Sequence, residues 1–206
     1  TVTLQQTNTF VTPGRWYTIT FLKFGTFAAR FFVNGVEDAD IITSSVAFTF
    51  LTARRLSFGF DSRGINDNFD GDIDSLAIWN TALSEQSIRA IYNNGWANLD
   101  LRVDHPCYSF GSSLTHWWRF GQGAQSTSTG DSFVSDWGNV GSGIPLNLTQ
   151  GTVGTSDILS PKFPQTAAVG ASVLFDEFGF LSSQNARLLG ISGVFTLSLW
   201  VNVREL

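Results

Sequence analysis

Only one stretch of this 206-residue chain, residues 82–92, carries a helical period; its other apolar runs are short, β-rich and bounded by turn residues. Residues 16–21 (WYTITF) and 29–33 (ARFFV) combine aromatic and β-branched side chains, the composition that suits a pleated, half-buried surface. Asn34-Gly35 follows the second run, and both residues accept a positive φ, so a tight hairpin turn is expected there. Residues 56–60 alternate apolar with small side chains, a polar loop spans 61–70, and 72–79 reads as another strand. Further strands are expected at 114–120, 171–175 and 194–201, the last with Phe195, Leu197 and Leu199 on one face. Between them, 121–130 is rich in Gly, Ser and Thr, and turn residues continue to Gly170.

The helical stretch has its own punctuation. Ser84 is placed to cap the N-terminus, Glu85 suits the positive end of the helix dipole, and Asn93-Asn94-Gly95 supplies a left-handed stop. Leu83, Ile88, Ile91 and Tyr92 share one face.

Composition narrows the function classes. Charged residues make up 14%, the net charge is −5, and lysine appears only at Lys23 and Lys162. A chain so poor in cations lacks the electrostatic footprint of a nucleic-acid binder. No apolar run approaches the roughly 20 residues a membrane span needs, so no membrane insertion is expected. Cys107 is the single cysteine and is read as a small, partly buried hydrophobe. His105 and His116 sit in no nucleophile motif, and two histidines with one cysteine do not make a zinc site.

Several of these segments resemble a known family. The strand pair at 16–21 and 31–36, ending in Val33-Asn34-Gly35, and the block Phe69-Asp70-Gly71-Asp72-Ile73-Asp74-Ser75-Leu76-Ala77-Ile78-Trp79 with its trailing helix, resemble the C-terminal half of a laminin-G-like or pentraxin-like domain. Residues 114–120, 173–175 and 195–201 resemble strands of the N-terminal half. The resemblance implies an all-β, concanavalin A-like jelly-roll sandwich of two antiparallel sheets with one short helix. It also implies an inverted order: residues 1–97 as a C-terminal half, 98–113 as a connector, and 114–206 as an N-terminal half. A circular permutant and an excerpt of a tandem array both fit this order. The absence of Met and the end directly after a strand favour the excerpt.

The same superfamily hosts lectins and endoglucanases, so the fold leaves function open. Related laminarinase-type hydrolases carry E-x-D-x-x-E on one strand, and a retaining mechanism needs two carboxylates about 5–5.5 Å apart. Here the matching positions are Asp72, Asp74 and Ala77, and Ala77 offers no carboxylate. Asp74 is read as a structural acceptor near a sheet edge, and no catalysis is expected. The resemblance makes calcium the candidate cofactor, with Asp61, Asn66, Asp67, Asp70 and Asp72 as candidate ligands, since calcium takes 6–8 oxygens. Asp, Asn and Gly are also what ordinary turns use, and a solvated loop is the plainer reading. Trp96 and Trp137 lie near turns, where they are candidates to stack on a sugar's apolar face; packing beneath a loop is the alternative.

The function implied is a non-catalytic, lectin-like module in an extracellular or virion-surface assembly, part of a larger homo-oligomer or repeat array. Its partners would be glycans or neighbouring structural proteins. The junction between residues 92–95 and 117–119 resembles tandem junctions of phage structural proteins. A purely structural virion component without sugar binding is the alternative, and an endoglycanase the third.

Overall fold

The computed structural model describes residues 11–26, 28–38, 42–43, 57–58, 69–93, 99–119, 124–126, 132–134, 146–148, 173–175, 181–183 and 193–204. Within them lie thirteen strands, one α-helix and a short 3₁₀ turn at Gly111–Ser113, and the strands form two antiparallel sheets.

The larger sheet is built around three long strands. These are β1 (Trp16–Lys23), β6 (Gly71–Trp79) and β13 (Phe195–Val203). β13 runs between the other two, pairing with β1 from Trp16↔Asn202 to Lys23↔Phe195 and with β6 from Thr196↔Trp79 to Val203↔Gly71. β2 (Ala28–Val33) joins the far side of β1, and its outer edge carries β3 (Val36–Glu37) at one end and β4 (Ile42–Thr43) at the other. The outer edge of β6 is shared in the same way. β11 (Val173–Phe175) pairs with its first residues and β7 (Leu114–Trp118) with its last. Strands from both sides of residues 98–113 therefore interleave in one sheet.

The second sheet has the order β5 (Ser57–Phe58), β12 (Leu181–Ser183), β10 (Leu146–Leu148), β9 (Ser132–Val134) and β8 (Ala124–Ser126).

The strands expected at 16–21, 29–33, 72–79, 114–120 and 194–201 form with their ends moved by a residue or two, whereas β8, β9 and β10 lie in a stretch that the sequence reads as loop and turns. The turn at Asn34-Gly35 forms as its residue types demand, with φ of 51° and 76°. The helix α1 (Glu85–Tyr92) begins where expected: the Ser84 hydroxyl accepts from the Ser87 N–H at 3.2 Å. It ends at Asn93, which adopts φ 45°. Ile88 and Ile91 are buried, and Tyr92 stacks on Trp200 with ring centroids 6.0 Å apart.

The helix covers one face of the large sheet. Leu22, Phe32, Ala77, Trp79, Leu114 and Trp117 from that face pack with Leu83, Ile88 and Ile91 of the helical segment and with Leu101 and Tyr108. Residues 99–110 are thus a packed part of the core, held by burial of apolar surface, the dominant favourable contribution to folding. One expectation is corrected here. Cys107 is exposed rather than partly buried, because its neighbour Tyr108 takes the inward position. Asp74 pairs with Trp200 on one side and on the other falls between the stretches of β6 that β11 and β7 cover, so it stands at a gap in the sheet's outer edge, where it accepts a backbone N–H as expected.

Candidate functional site

Alternation along the three central strands places a set of polar side chains on the helix-covered face. At one end, Asp72 of β6, Asn202 of β13 and Trp16 of β1 stand side by side in register. The next row is Asp74, Trp200 and Thr18, and the row after that Ala77, Ser198 and Thr20. Thr20 and Ser198 hydrogen-bond to each other at 2.9 Å. Most of this patch is buried: Asp72, Asp74, Thr18, Ser198 and Trp200 are all at or below 5% exposure.

One irregularity in β6 decides what the acidic positions can do. Between Trp200↔Asp74 and Ser198↔Ala77, two steps on β13 match three on β6. The extra residue is accommodated at Ser75, whose φ is 52°. A β-bulge of this kind shifts the facing of every later residue by one. It puts Ala77 on the same face as Asp72 and Asp74, although three positions separate it from Asp74. The third position of the D-x-D-x-x-A pattern thus faces the acids, yet it holds a methyl group buried to 1% exposure in the apolar core.

The two acids are already engaged in structure. Asp74 accepts the Ser75 N–H at 2.6 Å, and Ser75 in turn accepts the Trp117 indole N–H at 3.0 Å. The guanidinium of Arg119 lies over the Trp117 ring, 4.9 Å from its centroid. Burial pushes Arg119 below its ordinary pKa, and the nearby charges of Asp74 and Asp100 oppose that shift.

Among the described residues, two buried polar atoms on this face have no hydrogen-bond partner, the hydroxyl oxygen of Thr18 and Oδ1 of Asn202. Sequence reasoning did not single out either residue. The signal was present as the polar phase of the alternation in WYTITF and in Ser198-x-Trp200-x-Asn202.

A separate, open cleft of about 720 Å³ lies between α1 and the segment 99–107. Glu85, Arg89, Asn93, Leu99, His105 and Cys107 line it, mixing amide, guanidinium, carboxylate and imidazole groups with an apolar side chain and a thiol.

Of the calcium candidates, Asp72 is buried on β6, and Asp70 uses its carbonyl to accept the Arg204 N–H at 3.1 Å. Asp61, Asn66 and Asp67 lie outside the described residues, as do Trp96 and Trp137. Among the described residues, no group of three or more His, Cys, Asp or Glu side chains converges as a metal site would require. His116 is fully buried and stacks on Trp118 at 5.1 Å between ring centroids. No helix among the described residues is long and apolar enough to cross a membrane.

Comparison with known families bears on the strands just described. Residues 2–89 match the laminin-G-type model of the concanavalin A-like lectin/glucanases superfamily. The match spans less than half of the chain. The laminin-G-like segment includes β1 to β6 and runs into α1, so it holds Asp72, Asp74 and the bulge at Ser75. The mostly β architecture with a single helix is consistent with a concanavalin A-like sandwich. No curated protein and no solved structure matches the chain.

Proposed function

We propose that this chain is a non-catalytic, lectin-like module that recognises glycans within an extracellular or virion-surface assembly. The observation that carries the reading is the fate of the third acidic position. The bulge at Ser75 keeps Ala77 on the face of Asp72 and Asp74, but a buried methyl group occupies the place of a carboxylate. A retaining or inverting glycosidase needs a second carboxyl across the scissile bond. With Asp74 held by the Ser75 N–H, the hydrolytic branch of the superfamily loses support and the binding branch gains it. The cleft beside α1 adds groups able to exchange hydrogen bonds with sugar hydroxyls, among them Arg89, Asn93 and Glu85.

The test is a glycan-array assay on the folded chain, run in calcium and again in EDTA, beside an assay for reducing-sugar release from β-glucans. Selective glycan binding without sugar release is the expected result. Absence of binding under both conditions would move the assignment to a structural component that cements neighbouring proteins. Sugar release abolished by Asp74→Asn would establish the endoglycanase reading instead.

A further inference from the structure

We propose that the cleft between α1 and residues 99–107 selects a sugar carrying one isolated carboxylate, such as a terminal uronic acid, and that Arg89 pairs with that acid. This rests on the glycan reading and adds the class of sugar. The cleft's volume of about 720 Å³ falls within the roughly 300–1,000 Å³ of small-molecule pockets.

The starting point is a helix ion pair that does not form. Glu85 and Arg89 stand four residues apart on α1 with the acid N-terminal, the spacing and order that favour pairing along a helix. Glu85 instead accepts from Arg30 of β2, which also holds Glu37. Among the described residues, no carboxylate pairs with Arg89, which is exposed and lines the cleft. A guanidinium is a planar fork of donors that matches the two oxygens of a carboxylate, and it stays charged at any ordinary pH.

The rest of the lining suits a polyol. Gln86 and Asn93 bring carboxamides, which both donate and accept. His105 Nε2 lies 3.3 Å from the Asp100 carbonyl, which can only accept. Nε2 therefore carries the proton, and Nδ1 of the neutral ring is an acceptor. Leu99 offers apolar surface to the C–H face of a sugar ring.

Charge also limits the ligand. Arg30 is shared between two carboxylates, so that cluster keeps one negative charge in excess, and the whole chain has a net charge of −5. Such a field repels a densely charged polymer more than a single acid seated against Arg89.

The experiment measures binding of glucuronate- and galacturonate-terminated oligosaccharides to the full chain by calorimetry. Each is run beside its methyl ester, which keeps the sugar and removes the charge. The free acid should bind about tenfold to a hundredfold more tightly than the ester, the range of a hydrogen bond to a charged group. Added salt should narrow that preference, because the cleft is open to solvent. Arg89→Gln should bring acid and ester to the same affinity. Arg89→Lys should keep part of the preference, since it retains the charge and loses the fork. Equal binding of acid and ester by the parent chain overturns the proposal and leaves the glycan reading standing. So does an acid preference that persists in Arg89→Gln, or a densely sulfated polysaccharide bound more tightly than the single acids. A chain that binds no sugar, charged or neutral, removes both readings.

Discussion

Trp79 donates its indole N–H to the Tyr108 hydroxyl at 2.8 Å, and that hydroxyl donates onward to the Leu101 carbonyl at 2.7 Å. A strand residue and a residue of the segment that follows α1 are thereby locked through groups that are both at or below 1% exposure. Burial pushes the Tyr108 phenol well above its ordinary pKa, partly offset by the Trp79 hydrogen bond, so it remains a donor at any ordinary pH. Tyr108→Phe keeps the ring and its edge contact with Trp79 but strands the indole N–H. Leaving one such buried donor unpaired costs about 1–3 kcal/mol. Urea unfolding should register that loss with an unchanged m-value.

Two glycines with nearly equal φ separate backbone strain from crowding. Gly35 and Gly14 sit at 76° and 78°. A Cβ at Gly35 would lie 3.0 Å from Arg89 Cα and 3.2 Å from Tyr92 Cβ, whereas a Cβ at Gly14 would meet nothing within 4 Å. Gly14→Ala should therefore lose only the roughly 1–2 kcal/mol of a left-handed alanine. Gly35→Ala should lose measurably more, because the turn must back away from α1. Equal losses in thermal unfolding would show that the turn does not press on the helix.

Arg30 ties the β2–β3 hairpin to α1, reaching both Glu37 and Glu85. The hydrogen bond from Arg30 holds the Glu37 carboxyl below the usual carboxylate range. A folded pKa lowered in this way contributes stability above the unfolded value and loses it as the pH falls through the folded one. The stability gap between the parent chain and Glu37→Gln should thus be constant near neutrality and close below about pH 4. The pair is partly exposed, so the gap should also shrink in high salt. A gap that widens in acid would contradict this assignment.

Restoring the missing acid should not restore catalysis. Ala77 packs in the core with Trp79, Trp117 and Leu101, and a small void of the size of a single water is the nearest free space. Ala77→Glu forces a carboxylate into that core without a partner, at a cost of at least about 3 kcal/mol. The expected outcome is a destabilised chain with no release of reducing sugar. A stable, hydrolytic Ala77→Glu would reverse the functional proposal.

Cys107 is exposed beside the cleft between α1 and residues 99–107. Ellman's reagent should modify one thiol per chain under native conditions, without the lag that opening a core would impose. Protection until denaturant is added would place the thiol inside.

The local elements were legible because local chemistry dictates them. Ser84 and Asn93 bound the helix through groups that lie within a few residues of one another, and Asn34-Gly35 turns because both residues tolerate a positive φ. The alternating polar residues of β1 and β13 were visible too, but not their meaning. A period of two says which side chains share a face and leaves open whether that face meets water, a helix or an ion. The acidic positions show the same limit. D-x-D-x-x-A announces a missing carboxylate, while only the bulge at Ser75 reveals that Ala77 still faces Asp72 and Asp74.

From the sequence alone came the all-β class, the helix with its two caps, the hairpin turn, and the superfamily resemblance of residues 1–97. Tertiary structure decided the rest. It set β13 between β1 and β6, some 180 residues apart along the chain from β1, and drew residues 99–110 into the core. The physical reason is the range of the forces. Caps and turns are satisfied within a few residues, whereas strand neighbours and core contacts are chosen by which apolar faces bury each other best, however far apart they lie in the chain. Asp72, Asn202 and Trp16 became neighbours only through that choice.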